Sequence, residues 1–157
     1  MGTEARVAEL VGGPVIQDPA AIELRDTSRP RRSLIGLLFP VSPGRAVALC
    51  QVPDRTAAIG DALGAFLLDD VMVPLPGGEL ISLYRAEEYP RLPDNPRLAT
   101  VLARLGVTDR RVQASLRGNV LVFGGVDVGT VIDLDVPVRV VTACLRCGIP
   151  VVTDPAR

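Results

Sequence analysis

The sequence contains no histidine and no lysine, and all 17 of its basic residues are arginine. Losing histidine removes the one side chain whose charge ordinarily changes near neutral pH, and with it the commonest general base and metal ligand. Losing lysine removes a Schiff-base amine and the lysine of a phosphate loop. Most familiar catalytic constellations are therefore excluded. Beside abundant alanine, glycine, valine, proline and arginine, the missing lysine reads as GC-rich codon usage, because lysine codons are A-rich. Aromatic residues are also scarce: Phe39, Phe66, Tyr84, Tyr89 and Phe123 are the whole set, so the core has to be built from leucine, valine, isoleucine and alanine. No apolar run approaches the ~20 residues of a membrane span. A basic segment followed by an apolar one is missing at the start, so a cytoplasmic location is expected.

Cysteine is nearly as sparse. Cys50, Cys144 and Cys147 do not make a disulfide framework in a chain of this size. The pair Cys144 and Cys147 has the C-x-x-C spacing of redox and zinc sites, but there is no second such pair and no histidine, so no zinc site is expected. A redox dithiol places its nucleophile at a helix N-terminus, where the dipole lowers the thiol pKa. These two fall in the last turn of a predicted C-terminal helix, so a structural or incidental place is expected for them.

Against these absences, 48% of the residues are hydrophobic and 22% charged, enough for one domain to bury a core without staples. The formal charge of -1 gives no general attraction to nucleic acid. Residues 1–33 read as an arm and 34–157 as a single domain. In the arm a short helix over residues 3–10 and a brief strand over 21–24 are expected, with Pro14, Pro19 and Pro30 breaking anything longer. Arg25, Arg29, Arg31 and Arg32 close it, a cluster suited to phosphates or an acidic partner, or to a solvated linker.

In the domain, residues 34–39 and 46–52 read as two strands joined by a short turn. Asp54 is the expected cap of a helix to about Leu68, with Ile59, Leu63, Phe66 and Leu67 on its core face and Gly60 and Gly64 allowing close approach. Residues 71–75 and 79–84 flank Pro76-Gly77-Gly78 as a hairpin. The next helix is marked at both ends, with Asn95 as cap, Pro96 in the first position and Gly106 past the end, while Leu98, Val101, Leu102 and Leu105 form its apolar stripe. A second hairpin is expected from 112–116 and 120–123 around Arg117-Gly118-Asn119, ended by Gly124-Gly125, whose context is not that of a nucleotide loop. Asp135 is the expected cap of a last helix ending before Gly148. The predicted fold is α+β, a mixed or antiparallel sheet of about six strands with three helices mainly on one face. Its core is to include Ile59, Leu63, Phe66, Leu98, Val101, Leu102, Leu105, Val120 and Val122.

Two carboxylate pairs complete the inventory. Glu87-Glu88, in the polar connection after the first hairpin, suits a basic partner or a metal, though a metal wants more oxygen ligands than lie nearby. Asp69-Asp70 is the other pair that a metal-dependent hydrolase would have to organise. No cofactor is implied.

The order of features from 57 to 149 resembles a family of short, uncharacterised proteins from actinobacterial phages and plasmids, a domain of unknown function. The resemblance is carried by the hairpin at 71–84, Glu87-Glu88, Leu92-Pro93-Asp94-Asn95-Pro96-Arg97-Leu98-Ala99-Thr100, Leu116-Arg117-Gly118-Asn119-Val120 and Asp135-Val136-Pro137. Ala86 and Tyr89 depart from it, standing where the family looks to have asparagine and glycine. The resemblance implies a mobile-element origin and accessory proteins that act on host proteins, with no reaction attached.

Three functional expectations follow. The first is a non-enzymatic accessory factor that binds and modulates a host protein, with a homodimer through an exposed sheet edge compatible with it. The second is a small-ligand or nucleotide binder in which Arg25, Arg29, Arg31, Arg32 and Arg117 hold phosphate. The third is a metal-dependent hydrolase.

Overall fold

A computed structural model describes residues 33–153; the arginine cluster of the arm and the helix and strand expected there lie outside the described residues. Seven strands form one mixed sheet in the order β3-β4-β5-β1-β2-β7, with β6 pairing the far half of β5. The strands are β1 (Ser33–Phe39), β2 (Val47–Pro53), β3 (Leu68–Pro74), β4 (Leu80–Ala86), β5 (Val120–Asp127), β6 (Val131–Leu134) and β7 (Val151–Thr153). All pairings are antiparallel except that of β2 with β7. The helices are α1 (Thr56–Leu63), α2 (Pro96–Arg104), the single turn α3 (Arg110–Ala114) and α4 (Val138–Arg146).

The sheet is covered on both faces, which is why β1 is apolar at six consecutive positions instead of alternating. Ile35, Leu37 and Phe39 point into one cluster with Leu98, Val101 and Leu102 of α2 and Val140, Val141 and Cys144 of α4. Leu34 and Leu38 point the other way, joining Leu121 and Phe123 of β5 and Ile59, Ala62 and Leu63 of α1. Three helices thus lie on one face and α1 alone on the other. The expected α+β class holds, with one strand more than expected.

The helix α2 is organised as its sequence predicts. Asn95 caps it, its side-chain oxygen accepting from the Leu98 N–H at 3.3 Å, and Pro96 follows at the first position. The end is closed by Gly106 at φ 91°, with the Val107 N–H donating back to the Leu102 carbonyl and that of Gly106 to Ala103. Asn95 does more than cap: it is 1% exposed, and its amide nitrogen donates to the carbonyls of Phe39 at 2.9 Å and Gly118 at 2.8 Å. It therefore ties the start of α2 to the end of β1 and the entry to β5. Arg97, off the apolar stripe, donates to the carbonyls of Pro40, Ser42 and Arg45 and holds the β1–β2 turn.

Several expectations are corrected. Helix α1 stops at Leu63, where Gly64 takes φ 67° and the N–H groups of Gly64 and Ala65 donate to Asp61 and Gly60. Phe66, expected in the core, is therefore off the helix and 98% exposed. The cap position of α1 belongs to Arg55, not Asp54. Leu105 is half-buried at the border of the core. Residues 112–116 are not a strand: Asp109 accepts from the N–H groups of Arg111 and Val112 and starts α3. Gly124 and Gly125 do not end β5 but lie inside it, because a Cβ on Gly124 would stand 2.6 Å from the Asp135 carbonyl oxygen and one on Gly125 2.4 Å from the Met72 methyl. Asp135 does not cap α4, which starts after Pro137; its carboxylate accepts from the Ile35 N–H at 2.8 Å instead.

Candidate functional site

Of the residues singled out above, Arg25, Arg29, Arg31 and Arg32 lie outside the described residues. Arg117 is in place but occupied. Its guanidinium stands 3.4 Å from the Asp94 carboxylate and donates to the carbonyls of Leu92 and Ala114, so it stitches the loop before α2 to the loop before β5. Asp69 is likewise engaged, accepting from Arg85 at 2.8 Å. Arg85, only 5% exposed, also donates to the Ser115 carbonyl and lies 3.7 Å over the Tyr89 ring. Among the described residues no three acidic or cysteine side chains cluster as a metal site would require. No helix there is long and apolar enough to cross a membrane.

The two thiols of the C-x-x-C pair lie at the end of α4. Cys144 is buried in the last turn of α4, and Cys147 is the residue that ends it. Burial pushes the Cys144 thiol up to about 12, with neighbouring Cys147 adding to the rise and Arg97 opposing it. A thiol held neutral to that degree is a poor nucleophile. Tyr84 is also raised well above the usual phenol range, first by burial and then by its hydrogen bond to Asp133. Its ring meets Phe123 edge to face, so the pair closes the α1 side of the core.

A depression of about 310 Å³ lies where Glu79 and Leu80 meet Gly124, Gly125 and Asp127. Its chemistry does not converge. Glu79 is 3.5 Å from Arg139, and Asp135 at its edge is the acceptor for Ile35.

What the fold does bring together is an apolar projection and carboxylates. Phe66 is 98% exposed and Leu67 59%, on the four-residue connection between the end of α1 and β3. The connection is pinned at both ends. The Ala65 N–H donates to Gly60 at 2.9 Å, and the Leu67 carbonyl accepts from the Glu87 N–H at 2.9 Å. That last bond sets Glu87 and Glu88, both exposed, beside the projection. Asp61 on the last turn of α1 and Asp70 on β3 are exposed as well. Burying a phenylalanine side chain is worth roughly 1.5–3 kcal/mol, and this one contributes none of that to the fold.

Of these residues, reasoning from the sequence picked out Glu87 and Glu88 and placed Phe66 inside. The signal for its exposure was Gly64, which reads as a helix-ending glycine once the apolar period is not carried across it. Compared with family models, with curated proteins and with solved structures, the chain matches none.

Proposed function

We propose that this chain is a non-enzymatic protein-binding factor whose contact surface is centred on Phe66 and Leu67 and bordered by Glu87 and Glu88. The observation that carries the reading is the near-complete exposure of a phenylalanine on a connection fixed by backbone hydrogen bonds. Aromatic anchors surrounded by a polar rim are what protein interfaces are built from, and an anchor already held in place loses little entropy on binding. With the resemblance to actinobacterial phage and plasmid proteins, the reading extends to an accessory factor of a mobile element that binds and modulates a host protein. The nucleotide reading draws no support from Arg117, whose guanidinium is engaged by Asp94 and two carbonyls.

The test is affinity capture from an actinobacterial lysate with the wild-type chain and with Phe66→Ser side by side. A partner retained in stoichiometric amount by the first and lost by the second is the expected result. Identical captures by the two proteins would refute the assignment of the surface.

A further inference from the structure

We infer that the partner presents an extended, basic stretch of polypeptide that adds as a strand to the outer edge of β3, with its apolar side chains against Phe66 and Leu67. This rests on the protein-binding reading above and names the chemistry of the partner. Three observations carry it.

The first is the edge. β3 stands at the end of the sheet, seven residues long, and among the described residues it pairs only with β4. An edge of that length leaves a row of backbone donors and acceptors on its outer side, the template on which extended peptides dock. Phe66 and Leu67 immediately precede its first residue, so a strand laid along β3 runs up to the projection.

The second is charge. Asp61, Asp70, Glu87 and Glu88 are exposed on the elements that flank the projection. Arg85, on the β4 strand that pairs with β3, is buried and already shared between Asp69, Ser115 and the Tyr89 ring. Arg91 is the one exposed cation on the adjoining helical turn at Tyr89–Arg91. The surface is an apolar knob in an acidic border, and arginine or lysine on the partner complements it.

The third observation selects against a second copy of this chain. An antiparallel partner strand identical to β3 and matched over all seven residues sets Asp69 against Val73 and Asp70 against Met72, so a second copy brings more carboxylates and no basic side chain to this acidic edge. Pro74, which closes β3, has no N–H to give a partner strand. Carboxylates and a proline are how edges are kept from self-association, and the same carboxylates favour a basic strand.

The experiment is selection of random dodecapeptides displayed on phage against the immobilised full-length chain, followed by titration of synthetic winners and hydrogen exchange of the complex. The expected winners alternate apolar residues with arginine or lysine. Their binding disappears with Phe66→Ser and weakens roughly tenfold when Asp70→Asn, Glu87→Gln and Glu88→Gln are combined, since each exposed pair contributes severalfold at most. Exchange slows at the outward-pointing amides among residues 68–73. Winners without excess cations that still require Phe66 would overturn the basic partner while leaving the binding surface standing. Protection confined to another strand would overturn the edge, and so would a selection that enriches nothing while light scattering shows a dimer that protects β3.

Discussion

Replacing Asn95 by alanine should unfold this protein at a markedly lower temperature than any surface change. The side chain is 1% exposed and serves three backbone groups in three segments: the Leu98 N–H and the carbonyls of Phe39 and Gly118. Loss of an asparagine cap costs ~1 kcal/mol. Each buried carbonyl left without its donor adds about 1 kcal/mol or more. The expected total is roughly 3 kcal/mol, and at about 3–4 °C per kcal/mol for a chain of this size the melting temperature should fall by about 10 °C. Asn95→Ser separates the contributions, since a serine hydroxyl still caps α2 but cannot bridge Phe39 and Gly118; it should recover about a third of the loss. Thermal and urea unfolding, read by circular dichroism, measure both. A loss below ~1 kcal/mol for Asn95→Ala would show that the three segments are held together without this side chain, and the role given to this residue would fall.

Other perturbations separate the surface from the core. Phe66→Ser should leave stability within about 0.5 kcal/mol of wild type, because the ring contacts little in the folded chain; a larger loss in urea unfolding would mean that it packs. Gly124→Ala should cost about 1–3 kcal/mol, since its Cβ would meet the Asp135 carbonyl oxygen at 2.6 Å, whereas Gly44→Ala, with 4.0 Å to its nearest neighbour, should be neutral or slightly stabilising. Cys144 has its thiol raised from 9.0 to about 12 by burial, so the folded chain keeps a proton there that the unfolded chain releases. Stability should be unaffected by this group below pH 9 and decline between pH 9 and about 12, with Tyr84 acting in the same direction; Cys144→Ala should start lower and decline less steeply in urea titrations across that range. Deleting residues 1–32 should shift melting by only a few degrees, because among the described residues seven strands and two apolar clusters already pack against one another; a truncated chain that fails to fold would refute the division into an arm and a domain.

The parts of the fold that are legible in the sequence are those whose instructions are local. α2 carries a cap, a first-position proline, a helical stripe and a closing glycine within a dozen residues, and the β3–β4 hairpin carries Pro76-Gly77-Gly78 between two β-rich runs. The parts that are not legible depend on partners far along the chain. β7 is three residues long and pairs in parallel with β2, about a hundred residues earlier, so no turn announces it. Gly124 and Gly125 look like a terminator because glycine usually weakens strands; here a side chain on Gly124 would meet the Asp135 backbone carbonyl, and the strand runs through. The segment at 112–116 is too short for periodicity to decide, and the deciding residue was Asp109, a cap outside the segment.

Phe66 shows the same competition at the candidate site, with a functional consequence. Ile59, Leu63, Phe66 and Leu67 follow helical spacing, and a helix continued to Leu68 would have placed the phenylalanine on the buried face. Two things stop it. Gly64 in the left-handed conformation lets the N–H groups of Gly64 and Ala65 satisfy two carbonyls at the helix end, each bond worth ~1 kcal/mol. The ladder from Leu68↔Ala86 to Pro74↔Leu80 then requires the chain to enter β3 within four residues of the last helical one. The register of that ladder fixes the exit, and it leaves no room for a further turn of helix. Burial of Phe66, worth roughly 1.5–3 kcal/mol, is given up for pairing that orders a whole strand. Neither the core nor the turn needs an aromatic residue at that position, and in a chain with only three phenylalanines the one that folding does not use is the one most available to a partner.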